Sequence, residues 1–168
     1  MSTTHKPTRS ERAGLPPRGD VPVTPWAPSR RATARVANPL PVPTACPHCD
    51  HRVELVSNSK IYGREYGEWP WALLCVNRNC GAYVGLHPAT GIPLGTLATA
   101  NIRAARKMAK NLFNPLWQGP NARVRNRSEA YAWLATQMDI PVEQCHFGWF
   151  DAAQCEHAAQ ICRKRGIL

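Results

Sequence analysis

Two cysteine pairs are the residues in this sequence best suited to chemistry: Cys46-Pro47-His48-Cys49, and Cys75 with Cys80 across Val76-Asn77-Arg78-Asn79. Two short thiolate pairs on neighbouring turns supply four soft ligands at tetrahedral corners, the arrangement a zinc ion takes. The first pair holds two residues between its ligands, the second holds four, and 25 residues separate the pairs. The expected site is therefore one structural Zn2+ bound by Cys46, Cys49, Cys75 and Cys80. Four thiolates leave no open position, so such a metal folds the chain and does no catalysis. His48, His51 and His87 lie near enough in sequence to replace one cysteine, and each ranks below all four thiols. Buried thiols without metal explain two such pairs poorly.

The other cysteines read differently. Cys145, Cys155 and Cys162 form no C-x-x-C pair with each other, and the nearby His146 and His157 do not complete one. Cys155 and Cys162 share a helix face, so these thiols are expected to serve as small core hydrophobes.

The elements that position the first four cysteines are short. Arg52-Val53-Glu54-Leu55-Val56 alternates as a half-buried strand does, and Ser57-Asn58-Ser59 is turn chemistry. A return strand is expected to begin at Ile61-Tyr62, with Gly63 and Gly67 bracketing a loop. Trp71-Ala72-Leu73-Leu74 runs into Cys75, and Ala82–Leu86 is a further strand ended by His87-Pro88. Together they describe a zinc ribbon over residues 45–91.

Residues 92–168 carry helical patterns. A helix from about Leu97 to Phe113 has Ala98, Ile102, Ala105, Ala109 and Leu112 on one stripe, with Thr96 or Thr99 at its cap. Ser128 is expected to cap a second helix through Met138, with Tyr131, Leu134 and Met138 inward, and Pro141 follows it. Asp151 and Gln154 have capping-box spacing for a third helix, lined by Cys155, Ala158 and Cys162 and ended by Gly166. The second and third helices resemble a helix-turn-helix only loosely, because their connection is long. The fold class is thus a small α+β protein: a zinc ribbon, a three-helix C-terminal part packed on it, and a disordered N-terminal arm over residues 1–44. That arm holds nine of the sixteen prolines and has seven Lys or Arg against two acids. Proline removes donors and fixes φ, so neither helix nor central strand propagates there.

The net charge is +10, divided evenly between the arm and the rest. A balance this basic favours polyanionic partners, although a basic tail can also serve solubility alone. Arg103, Arg106, Lys107 and Lys110 form one helical face able to follow a phosphate backbone; an ordinary solvated face explains it equally. Arg123, Arg125 and Arg127 alternate ahead of a helix start and make a second patch. Tyr62, Arg64 and Tyr66 interleave rings with a base in the Gly-flanked loop, suiting contact with unpaired bases. Trp69 and Trp71 are assigned to the small core.

No apolar run approaches the ~20 residues that span a bilayer, and no apolar stretch follows the N-terminal charges as in a secretory signal. A reducing cytoplasm is the expected location, with no membrane partner and no evident small-molecule substrate. Phosphate-cradling glycine loops, nucleophile elbows and H-E-x-x-H are missing, and the acids are too scattered for a two-metal centre. The chain is not expected to be an enzyme.

A resemblance sharpens this outline. Tyr62-Gly63-Arg64, Cys80-Gly81-Ala82-Tyr83-Val84-Gly85-Leu86-His87, Pro93-Leu94-Gly95-Thr96-Leu97-Ala98, Arg103, Arg106, Pro115-Leu116-Trp117, Tyr131-Ala132-Trp133-Leu134-Ala135 and His146-Phe147-Gly148-Trp149-Phe150-Asp151 are similar to a family of small zinc-ribbon proteins of bacteria and phages, a domain of unknown function. The resemblance runs from residue 45 to about 163 and excludes the arm. It implies a ribbon fused to a helical part and implies no activity. Relatives often carry His at the position of Lys110 and Asp at that of Asn114, so any chemistry resting on that pair is lost here.

Three functions compete on these grounds. The leading one is a nucleic-acid-binding accessory or regulatory factor for DNA or RNA. The alternative is a zinc-ribbon adaptor docking on replication or transcription machinery. The third is an enzyme with a site around His87 and His146.

Overall fold

The computed structural model of the chain describes residues 22–164. Three strands, β1 (Val53–Ser57), β2 (Trp71–Cys75) and β3 (Tyr83–Gly85), form an antiparallel sheet in that order. Val53 pairs with Cys75, Leu55 with Leu73, and Leu73 in turn with Val84. Side chains alternate along a strand, so this register gives the sheet two faces. Val53, Leu55, Trp71, Leu73, Cys75 and Val84 share one, and it packs with Cys46, Ala82, Leu86 and Leu97 as a small core. Glu54, Val56, Ala72, Leu74 and Tyr83 share the other.

The return strand expected at Ile61-Tyr62 does not form. Ser59–Tyr62 makes one helical turn instead. Its Ile61 and Tyr62 N–H groups donate to the Asn58 carbonyl at 3.0 and 3.1 Å. Gly63 closes the turn in left-handed backbone, φ 78°, which glycine adopts without steric cost. Two adjacent apolar residues suit a strand or a single turn alike; the Ser57 hydroxyl, accepting the Ser59 N–H at 3.2 Å, tips this segment toward the turn. The strand that returns is β2.

The ends of the segment 22–44, assigned to the arm on proline content, lie against the sheet module, and Arg35 to Asn38 line a cavity with Val142 and His146. Trp26 sits edge-on to Trp71 with ring centroids 5.0 Å apart. The Ser29 N–H donates to the Ala89 carbonyl at 2.9 Å, and the Val53 N–H to the Thr44 carbonyl at 3.0 Å. Ser29 also caps one helical turn, Arg30–Thr33. Proline forbids long regular elements but still offers apolar surface for packing. Residues 1–21 of the expected arm, and the expected stop at Gly166, lie outside the described residues.

Three longer helices follow: α1 (Ala100–Phe113), α2 (Arg127–Met138) and α3 (Ala152–Lys164), with single 3-10 turns at Asn114–Leu116 and Val142–Gln144. They enclose a second core around Phe113, Leu116, Leu134, Phe147, Phe150, Cys155 and Cys162. Each large side chain fully buried there contributes roughly 2–3 kcal/mol. The first helix starts later than expected. Leu97 and Ala98 precede it, and Ala98 bridges to Tyr83 at the sheet edge. Thr99 occupies the N-cap without a side-chain bond, while the Thr96 hydroxyl accepts from Arg106 at 2.6 Å. Asn126, not Ser128, caps α2, its side chain accepting the Glu129 N–H at 3.0 Å. The expected box at α3 forms reciprocally: the Asp151 N–H donates to Gln154 at 3.0 Å and the Gln154 N–H to Asp151 at 2.7 Å.

Among the ties between the two cores is a close pair of glycines. Gly95 lies so close to Gly148 that an added Cβ would sit 2.1 Å from the Gly148 carbonyl oxygen. The Thr96 N–H donates to that same oxygen at 3.0 Å.

Candidate metal centre

The four cysteines expected to bind metal converge. Their sulfurs all lie within 4.8 Å of one another, and among the described residues no other group of histidine, cysteine or acid side chains is placed to hold an ion. Cys46 and Cys80 Sγ are 3.7 Å apart, and Cys49 and Cys75 Sγ are 3.5 Å apart. A tetrahedron of thiolates at ~2.3 Å from zinc has edges of roughly 3.8 Å. The sulfur spacing therefore fits a metal ion bound by four thiolates.

Backbone geometry explains the unequal pair spacing. In the first knuckle the Cys46 carbonyl accepts the Cys49 and Asp50 N–H groups at 3.3 and 2.9 Å, and Asp50 is left-handed at φ 57°. In the second knuckle the Asn77 carbonyl accepts the Cys80 and Gly81 N–H groups, both at 3.1 Å, and Gly81 is left-handed at φ 56°. The two turns are the same, and Asn77 stands where Cys46 stands. The missing ligand comes from the end of β2, two residues earlier, as Cys75. Four intervening residues thus reflect a strand ligand combined with a turn ligand.

Cys49, Cys75 and Cys80 hold their protons differently. The His51 backbone N–H, ahead of bonds from neighbouring thiols, holds Cys49 down at about 6. Burial pushes Cys75 up to about 12 and raises Cys80. A bound cation reverses the cost of those buried charges, because thiolates are its ligands.

The nearby histidines have other partners. His48 Nε2 donates to the Leu97 carbonyl at 3.0 Å, so it docks the first knuckle onto the segment entering α1. His51 Nδ1 donates to the Cys49 carbonyl at 2.7 Å. His87 lies instead with His146, Cys145 and Glu143 on a cavity of about 560 Å³ on the helical side. Cys145, Cys155 and Cys162 are buried in the helical core, as expected of small hydrophobes.

The sequence-derived nucleic-acid candidates fall into three settings. Tyr62, Arg64 and Tyr66 form one cluster. The Tyr62 ring meets Tyr66 and Tyr83 edge-on at 5.4 and 5.9 Å, and the Arg64 guanidinium lies 4.4 Å over Tyr66. Arg103 lies 4.0 Å over Tyr83 and donates to the Gly81 and Ala98 carbonyls. Arg106 faces inward: it donates to the Phe150 carbonyl at 2.8 Å and to Thr96, and burial lowers its pKa. Lys107 and Lys110 are exposed on α1. Arg123, Arg125 and Arg127 do not share an extended strand. Arg125 pairs with Glu129 at 3.1 Å, and Arg127 opens α2 with its guanidinium 5.2 Å over Tyr131.

Tyr83, Lys60 and Arg78 escaped the sequence reading. With Glu54, Leu74 and Arg103 they line a groove of about 710 Å³ over the second sheet face. Strand alternation carried the signal for Tyr83, because inward Val84 puts Tyr83 outward. Lys60 and Arg78 belong to turns, where no periodicity marks a direction.

A small α+β chain with a four-cysteine centre is a protein of the zinc-finger class. The profile of a zinc-finger-containing domain family matches residues 42–165, and the chain belongs to that family. No curated protein and no solved structure matches it. Among the described residues no helix is long and apolar enough to cross a membrane.

Proposed function

We propose that this protein is a nucleic-acid-binding accessory or regulatory factor whose contact surface is built on a zinc ribbon holding one structural Zn2+. The observation that carries the reading is a continuous string, Arg64–Tyr66–Tyr62–Tyr83–Arg103, bordering the groove that Lys60 and Arg78 also line. Cations stacked on rings are fixed before a ligand arrives, which lowers the ordering cost of binding. Tyr62 and Tyr66 are each 48 % exposed, more than core packing alone requires of a tyrosine. A bound metal would position this surface indirectly, because Cys75 lines the groove together with Gly81 and Arg103. Lys107 and Lys110 extend the positive surface along α1.

A titration of the metal-loaded chain with labelled single- and double-stranded DNA and RNA at two salt concentrations tests the reading. Saturable binding that weakens steeply with salt is expected, since each neutralised phosphate adds ~0.7–0.9 to the log–log slope. Tyr62→Ala is expected to weaken it about tenfold, within the range for one lost ring contact. Binding no stronger than that of a peptide of residues 1–44 contradicts it.

One observation favours the adaptor reading. The opposite sheet face carries an apolar cavity of about 610 Å³ lined by Pro25, Trp26, Val42, Leu55 and Leu73, and Trp26 is 66 % exposed. A partner protein would dock there. Pull-down of a specific partner that survives nuclease treatment and is lost in Trp26→Ala supports this second use.

A further inference from the structure

His146 belongs neither to the metal centre nor to the tyrosine groove, yet the fold holds its ring on several sides. Its Nδ1 accepts the Gly148 N–H at 3.1 Å, which leaves hydrogen on Nε2 in the neutral ring. Tyr131 lies nearly parallel to it at 6.3 Å, and Trp149 is tilted against it at 5.6 Å. The ring lines a cavity of about 340 Å³ with Arg127, Ser128, Tyr131, Val142 and Cys145. It also lines the larger cavity that holds Arg35, His87 and Glu143.

The charges around it have mostly one sign. Burial, then Arg127, Lys110, His87 and Arg106, hold the imidazole below its ordinary pKa. Glu143 lines only the larger cavity and not the smaller one. The buried Cys145 thiol is pushed up to about 11 and the Tyr131 phenol is also raised, both mainly by burial, so neither adds negative charge near neutral pH. A neutral donor ring, a serine hydroxyl and a guanidinium thus share a small cavity in a field set by arginine and lysine. Such a place favours a compact anion bearing several acceptor oxygens.

We propose that the cavity walled by His146, Arg127 and Ser128 is a binding site for a phosphate monoester. Arg127 supplies the paired donors, Ser128 and the His146 Nε2–H supply single ones, and Lys110 sets the field from α1. The site stands apart from the tyrosine groove, and the two can fail separately. Lys110 is nevertheless seven residues beyond Arg103 on the same helix, ~10 Å along its axis at ~1.5 Å per residue. A strand lying in the groove could therefore bring its terminal phosphate to His146, and a free mononucleotide is the other source of the same chemistry.

The test follows the imidazole resonances of the metal-loaded full chain by NMR during titration with inorganic phosphate, then adenosine monophosphate. The His146 signal is expected to shift saturably, and its pKa to rise on binding, because an added anion favours the charged ring. Arg127→Gln, an exposed position, is expected to weaken the effect at least tenfold while leaving the other resonances in place. In a second arm, short oligonucleotides with and without a terminal phosphate are compared. A preference of about tenfold for the phosphorylated strand identifies a strand end as the ligand; equal binding of the two, with saturable mononucleotide binding, identifies the free monoester. An unmoved His146 with every phosphate probe overturns the proposal, even if the unphosphorylated strand binds at the groove.

Discussion

The sheet module and the helical part use cysteine in opposite ways, and the contrast shows where each obtains its stability. The helical core buries Phe113, Leu116, Leu134, Phe147 and Phe150 completely or nearly so, and its Cys155 and Cys162 fill space among them. The sheet core has no buried phenylalanine; its buried residues are Cys46, Leu73, Cys75, Ala82, Val84, Leu86 and Leu97, two of them from the four-cysteine cluster. So little apolar surface does not hold three short strands together. A metal ion on the four-cysteine cluster is expected to supply the missing free energy, since structural zinc sites are worth ~10–16 kcal/mol at neutral pH.

The contrast breaks most clearly when one substitution is made in both places. Cys46→Ser removes a ligand and is expected to abolish stoichiometric metal binding and unfold the sheet, seen as loss of the near-UV signal from Trp69 and Trp71. Cys155→Ser only places a hydroxyl in an apolar core, costing about 2 kcal/mol in denaturant unfolding. Equal effects would mean that the two sets of cysteines do the same job.

Acid sharpens the same difference. Cys75 and Cys80 are raised in the metal-free cluster, so both are protonated at neutral pH, while Cys49, lowered to about 6, is already ionised there. Each bound metal therefore displaces at least two protons. Metal affinity is expected to fall at least about a hundredfold per unit as pH drops from about 8 to about 6.5. A competition titration with a chromophoric chelator measures this; a flat profile contradicts the assignment of those thiols as ligands.

Between the modules, Gly95→Ala is expected to cost roughly 3 kcal/mol, because the new methyl meets the Gly148 backbone, which cannot move as a flexible side chain would. Thermal unfolding would then divide into two transitions, one per core. The smallest effect on the fold belongs to the outer face of α1. Lys107→Glu with Lys110→Glu is expected to leave stability within about 0.5 kcal/mol and to weaken nucleic-acid binding about tenfold, alike for all sequences. Arg103 and Arg106 are poor probes of binding, since their guanidiniums tie α1 to Gly81, Ala98, Thr96 and Phe150.

These particulars also show what could be read without coordinates. The convergence of the four cysteines was legible because ligand chemistry restricts residue type and spacing together. Strand β1 was legible from alternation, β2 as an apolar run into Cys75, β3 as a short run ended by His87-Pro88, and α3 from its Asp151–Gln154 box. The turn at Ser59–Tyr62 was not, because two apolar residues carry no period. Thr96 offered cap chemistry, but its hydroxyl is taken by an arginine ten residues on, a contact that only packing creates. The basic face of α1 was legible as a face; that Arg103 and Arg106 turn onto the protein depended on carbonyls presented by distant loops. The seat of Trp26 on Trp71 was hidden in the same way, since proline content reports on regular structure and not on docking.

Hydrogen exchange of the full chain with and without a strong chelator, read together with metal content, tests the division most directly. One zinc per chain is expected. On its removal, amide protection is expected to vanish from β1, β2 and β3 while Ala109, Phe113, Leu134 and Cys155 stay protected in the helices. A metal-free chain that keeps its sheet protected would contradict the account, because the small apolar core would then suffice to hold the strands.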